Sequence, residues 1–62
     1  MPVITLDIGK LPKEQKVAIV KEFTDTASRV TGIPKDAFYV FLNEYDDDNV
    51  GIGGQLMSVQ EQ

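Results

Sequence analysis

The 62-residue sequence predicts an α/β fold: two main parallel strands joined by one long helix, then a short C-terminal hairpin, with the chain assembled as an oligomer. Three observations carry that expectation. PVITLDI at Pro2 to Ile8 and FYVFLNEY at Phe38 to Tyr45 are rich in β-branched and aromatic residues and alternate with period two. Between them, Lys13 to about Thr31 repeats its apolar residues with the period of a helix. A helical connection of roughly 18 residues is what a parallel crossover needs, and such crossovers are right-handed.

In the first strand Ile4, Leu6 and Ile8 share one face, and Val3, Thr5 and Asp7 share the other. Gly9, Lys10, Leu11 and Pro12 break the alternation, with glycine suited to a turn and proline to the start of a helix. Ile19, Phe23, Ala27 and Val30 form the apolar stripe of the helix, widened by Val20 and the aliphatic stem of Lys16. Leu11 occupies the N-cap place where serine or aspartate is preferred, and rigid Pro12 compensates. Gly32 suits the left-handed stop, and Pro34 blocks continuation. Lys35, Asp36 and Ala37 form a short turn. In the second strand Phe38, Val40 and Leu42 oppose Tyr39, Phe41 and Asn43. The segment from Asp46 to Met57 reads as turns with a brief hairpin around Gly51 and Ile52. The polar end, Ser58 to Gln62, is expected to fray unless another subunit holds it.

Size makes assembly a requirement. A chain of 62 residues forms one domain, 1–62, and buries only about 60% of the surface its unfolded form exposes. With no cysteine and no histidine, neither a disulfide nor an ordinary structural zinc site supplies the missing stability. One helix also covers only one side of a two-stranded sheet. Tyr39 and Phe41 beside Val3 and Thr5 are left for face-to-face subunit packing, and the sheet edges for pairing.

The formal charge of -4 argues against nucleic acid or an anionic membrane as partner. The first residues lack the basic start and apolar core of a signal peptide, and no apolar run reaches the roughly 18 residues of a membrane span. A cytoplasmic protein is expected.

Pro2 is the most informative residue once Met1 is removed. Its amine is then secondary, fixed at the end of a strand, able to take a proton when neutral and return it to a neighbouring carbon. With Met1 attached, the nitrogen is a non-basic amide. Lys10 lies in a loop where its ammonium could meet a substrate carboxylate, and is otherwise an exposed turn lysine. Tyr39 could donate a hydrogen bond to a substrate oxygen while also serving as an interface aromatic. Arg29, late on the polar flank of the helix, suits an exposed charge at the helix C-terminus. The run DDDN lacks the glycine and glutamate offsets of a calcium loop, and GIGG lacks the partners of a phosphate loop or dinucleotide fingerprint. Ser28 and Ser58 have no histidine to activate them.

Pro2 opening a strand, EQK at Glu14 to Lys16, Pro34, a second strand ending in Asn43 and Glu44, and GIGG at Gly51 to Gly54 together resemble the 4-oxalocrotonate tautomerase family. Within it the chain is most similar to the DmpI-like subgroup. The resemblance spans nearly the whole chain and implies β-α-β subunits pairing into dimers, three of which form a homohexamer. It implies that Pro2 acts as general base on a dienol such as 2-hydroxymuconate and delivers the proton to carbon, giving the 2-oxo-3-enedioate without metal or organic cofactor. It further implies catalytic roles for Lys10 and Tyr39. Lys10 stands in the loop, here one residue shorter, where the family has a carboxylate-binding arginine. Tyr39 stands where well-studied members have another arginine, and Val50 where they have an aromatic pocket residue. Lysine and tyrosine cannot reproduce a bidentate arginine grip, so the family's dicarboxylate becomes less suited than another enolisable keto acid. The alternatives to an isomerase are a non-catalytic self-associating subunit and a small effector-binding module that uses the acidic loop.

Overall fold

Residues 1–60 are described by a computed structural model, in which β1 (Val3–Ile8) and β2 (Tyr39–Glu44) pair in parallel from Val3↔Tyr39 to Ile8↔Glu44. The expected ends of the second strand fall just outside it. Phe38 closes the 3-10 turn Lys35–Ala37 by donating its N–H to the Lys35 carbonyl, and Tyr45 extends the ladder by donating to the Ile8 carbonyl at 3.0 Å.

Helix α1 (Lys13–Thr31) has the bounds the period predicts, but its N-cap is Pro12 and not Leu11. Pro12 has extended backbone angles, and its carbonyl accepts the N–H groups of Gln15 at 3.1 Å and Lys16 at 3.2 Å. The Leu11 N–H instead goes to Glu44 Oε2 at 2.8 Å, so a side chain from the far end of β2 holds the β1–α1 loop. The other end stops as the sequence predicts. Gly32 has φ 77° and donates its N–H to the Ser28 carbonyl at 2.9 Å. Ser28 Oγ donates to the Ile33 carbonyl and Thr31 Oγ1 to the Ala27 carbonyl, which ties the exit chain to the last turn. Asp25 accepts ion pairs from Lys21 and Lys35, both at 2.8 Å, and so links α1 to the following turn. The Lys21 hydrogen bond, seconded by that of Lys35, holds the Asp25 carboxyl down at about 2.

The helix lies on the face of Ile4, Leu6, Val40 and Leu42, all half-buried, and meets them with half-buried Ile19, Phe23 and Ala27. Val30 departs from the expected stripe. It is 72% exposed and rims an apolar groove of about 580 Å³ shared with Ile4, Phe23, Thr26, Ala27 and Thr31. A stripe of period 3.6 drifts past the edge of a sheet only two strands wide. On the uncovered face Val3 is 48% exposed and Tyr39 and Phe41 are each 50% exposed.

Strands β3 (Gly51–Ile52) and β4 (Gln55–Leu56) form the C-terminal hairpin, with Gly51 opposite Leu56 and Ile52 opposite Gln55. Its two-residue turn has φ 63° at Gly53 and 88° at Gly54, the positive pair that matches the twist of a hairpin. Helix α2 (Met57–Gln60) is a single turn whose Met57 N–H donates to the Val50 carbonyl at 2.8 Å, while the rest of the expected tail, residues 61 and 62, lies outside the described residues.

No described residue is fully buried. The Cα radius of gyration is 15.3 Å, against about 11 Å for a compact chain of this length. Among the described residues no helix is long and apolar enough to cross a membrane.

The helix stop yields a test. A Cβ at Gly32 meets nothing within 4 Å, so the cost of Gly32→Ala is that of the left-handed backbone alone. It is expected to be about 1 kcal/mol, lowering Tm by roughly 4–8 °C in thermal melts at fixed protein concentration. An unchanged Tm would mean that the last turn of α1 adds nothing to stability.

Candidate active site

The two ends of β1 carry different chemistry. At its start, Pro2 is half-buried and its carbonyl accepts the Tyr39 N–H at 3.1 Å, so the parallel register itself sets Pro2 beside Tyr39. The Tyr39 ring stacks on Phe41, centroids 6.4 Å apart and planes 21° apart, on the uncovered sheet face. Met1 precedes them and is 82% exposed.

Lys10 lies beyond the other end of the strand, separated from Pro2 by about 20 Å of extended chain. Within one chain the structure therefore brings Pro2 and Tyr39 together and keeps Lys10 apart from them. Lys10 Nζ is 3.6 Å from Asp46 Oδ1, with both side chains well exposed. Beside this pair, Glu44 accepts Lys16 Nζ at 2.6 Å as well as the Leu11 N–H. The Lys16 hydrogen bond first, then the Leu11 N–H, hold the Glu44 carboxyl below its ordinary value, against partial desolvation.

Val50 shares the Lys10 end. With Asp7, Ile8, Gly9, Tyr45 and Met57 it lines an open groove of about 710 Å³. Asp7 Oδ1 accepts both Asn43 Nδ2 at 3.0 Å and Tyr45 Oη at 3.1 Å. That hydrogen bond, with the repulsion between carboxylate and phenolate, raises the Tyr45 phenol above its ordinary 10.0.

Arg29 is exposed in the last turn of α1, as its position on the polar flank implies. In DDDN, Asp47–Asn49 forms a 3-10 turn, and among the described residues no group of three or more acidic side chains is placed to hold a metal ion. In GIGG, two residues are strand and two are the hairpin turn. Ser28 is engaged by the Ile33 carbonyl. Sequence reasoning missed the roles of Glu44, Asp46 and the Asp7–Tyr45 pair. For Glu44 there was a signal: alternation puts it in phase with Val40 and Leu42, and a carboxylate on an apolar face needs partners. For the other two there was none, since each contact joins residues more than thirty positions apart or links two exposed loops.

The Asp7–Tyr45 contact yields a second test. In a Tyr39→Phe background, where Tyr45 alone reports, Asp7→Asn is expected to shift tyrosinate formation, followed by ultraviolet absorbance, to lower pH. An unmoved titration would mean that the carboxylate does not bond the phenol in solution.

The profile of a family described as "Tautomerase enzyme" matches residues 2–60. The chain is 36% identical over 62 residues to a probable tautomerase of Lactiplantibacillus plantarum, covering 98% of this chain and 97% of the relative. The crystal structure of a 4-oxalocrotonate tautomerase homologue superposes with a TM-score of 0.89 at 33% identity, covering 100% of both chains. DmpI from Archaeoglobus fulgidus is similar with a TM-score of 0.79 at 30% identity, covering 92% of this chain and 98% of that one.

Proposed function

The chain belongs to the tautomerase enzyme family, and we propose that it is a cofactor-independent keto–enol tautomerase whose proton carrier is Pro2, freed by removal of Met1. Lys10 and Tyr39 complete the site, which acts on 2-hydroxymuconate or a related enolisable keto acid. The observation that carries this reading is Pro2 at the start of β1, hydrogen-bonded through its carbonyl to Tyr39, in a chain matched by the family profile from residue 2 onward.

The mechanism is a relay of one proton. The neutral secondary amine takes the proton from the 2-hydroxyl of the dienol, the electron pair moves through the conjugated system, and the resulting ammonium protonates the distant carbon. Substrate has become the conjugated ketone, and Pro2 is neutral again. Tyr39 offers its phenol to the oxygen on which charge develops, and Lys10 offers one cation to a carboxylate. An open sheet face with little water-excluded volume cannot do this alone, because the amine must be desolvated to remain neutral near pH 7.

We propose that a second copy supplies what is missing. The roughly 20 Å between Pro2 and Lys10 within one chain is closed if another copy packs on the open face with its strands reversed, so that the Lys10 end of one meets the Pro2 end of the other. The large radius of gyration and the absence of any buried residue among the described ones support assembly, and the family resemblance favours a homohexamer of single-domain subunits spanning 1–62. Likeness to the DmpI of Archaeoglobus fulgidus supports the DmpI-like subgroup.

The reading is tested by following 2-hydroxymuconate ketonisation in the ultraviolet with methionine-free protein, its mass verified, beside Pro2→Ala. Saturable turnover is expected, with a loss on substitution of about 100-fold or more and an unchanged sedimentation mass. Turnover that survives substitution would remove Pro2 from the proton transfer. No turnover by assembled wild type would exclude this substrate.

A further inference from the structure

We propose that Asp46 is a specificity-determining counter-charge: it pairs with Lys10 and must be displaced by a substrate carboxylate before that carboxylate can bind. The inference rests on the function proposed above, through the role given there to Lys10.

Two carboxylates lie in the field of Lys10, and they differ in how freely they can leave it. Glu44 is committed elsewhere, to Lys16 Nζ at 2.6 Å and the Leu11 N–H at 2.8 Å, and its side chain is only 20% exposed. Among the described residues the Asp46 side chain has one partner, Lys10 at 3.6 Å, and the two side chains are 60% and 66% exposed, so a solute carboxylate can reach the same ammonium. Yet Asp46 is not a loose surface group. Its main chain is held on both sides: the Tyr45 N–H donates to the Ile8 carbonyl at 3.0 Å, and the Asp46 carbonyl accepts the Asn49 N–H at 2.8 Å. The backbone is thereby fixed beside the loop that carries Lys10, and only the side chains need move.

Charge accounting gives the exchange weight. Of the six cations, Lys16, Lys21 and Lys35 are paired with Glu44 or Asp25, and Lys13 and Arg29 are exposed at the two ends of α1. Lys10 is the cation on the β1–α1 loop, set against the acidic turn by its pairing with Asp46. An anion entering there trades Asp46 for itself, a weaker attraction than an unpaired ammonium would offer. Because the trade is the same for bound substrate and transition state, it raises KM and leaves kcat alone. The device favours substrates with other contacts and rejects small anions held by charge only.

The test uses methionine-free protein carrying ¹³Cε-lysine and titrates 2-oxoadipate, a saturated 2-oxo dicarboxylate, by NMR. Asp46→Asn is expected to lower Kd about two- to fivefold, the scale of an exposed ion pair, and Asp48→Asn, which removes the same charge from the same turn, to leave it within error. In a Lys10→Gln background Asp46→Asn should have no effect. An unchanged Kd in Asp46→Asn, an equal gain in Asp48→Asn or in the Lys10→Gln background, or no Lys10-dependent binding in any form would each overturn the proposal. Turnover of 2-hydroxymuconate by the same proteins separates the two readings. Loss of Pro2-dependent activity in wild type strikes the function proposed above while the Kd comparison still decides the role of Asp46, and a lower KM at constant kcat in Asp46→Asn supports both.

Discussion

The parallel pairing of β1 with β2 in the register Val3↔Tyr39 is the constraint on which everything else in the chain depends. Parallel strands cannot be joined by a tight turn, so the connection must travel back along the sheet, and α1 is that return. The helix can lie on one face only. Each residue of the sheet is therefore assigned by parity to a half-buried face under α1 or to an open face, and no residue of either strand is covered on both sides. The same register puts the Pro2 carbonyl opposite the Tyr39 N–H and sends Lys10 to the far end.

Most of the polar chemistry gathers at that far end, where β1 leaves the sheet and β2 ends. Glu44 binds the loop and the first turn of α1 together, Asp46 meets Lys10, and Asp7 binds Asn43 and Tyr45 across the open face. These contacts do two kinds of work. Glu44, with two donors, fixes the Leu11 backbone to the first turn of α1. Asp46, with one exposed partner, leaves the ammonium available to an exchange. With no enclosed core among its described residues, the chain thus divides its charges into those that hold its shape and those that remain free to meet a ligand or a neighbouring copy.

Assembly gives this division its sense. A chain of 62 residues with a radius of gyration of 15.3 Å keeps too much apolar surface wet to be a finished globule. The open face, with stacked Tyr39 and Phe41, and the apolar groove beside Val30 are where burial is still to be gained. Under the proposed function the same burial would dry the surroundings of the Pro2 amine, so that stability and basicity come from one contact.

The sequence by itself determined the order and kind of the main elements, because each rests on local physics. Period-two alternation marked the strands, period 3.6 marked α1, Gly32 marked its end, and closely spaced glycines marked a hairpin around Gly51 and Ile52, whose turn the structure places at Gly53 and Gly54. It also marked Pro2, Lys10 and Tyr39 as residues of interest through the resemblance of the whole chain to one family. What it could not carry were contacts between distant positions. The bond of the Leu11 N–H to Glu44, thirty-three residues away, is one of these. The exposure of Val30 followed from the width of the sheet beneath the helix. The separation of Lys10 from Pro2 followed from the two lying at opposite ends of one extended strand. Local preferences select elements residue by residue, whereas partners across the fold exist only once the elements have been brought together, and only the tertiary structure decided those.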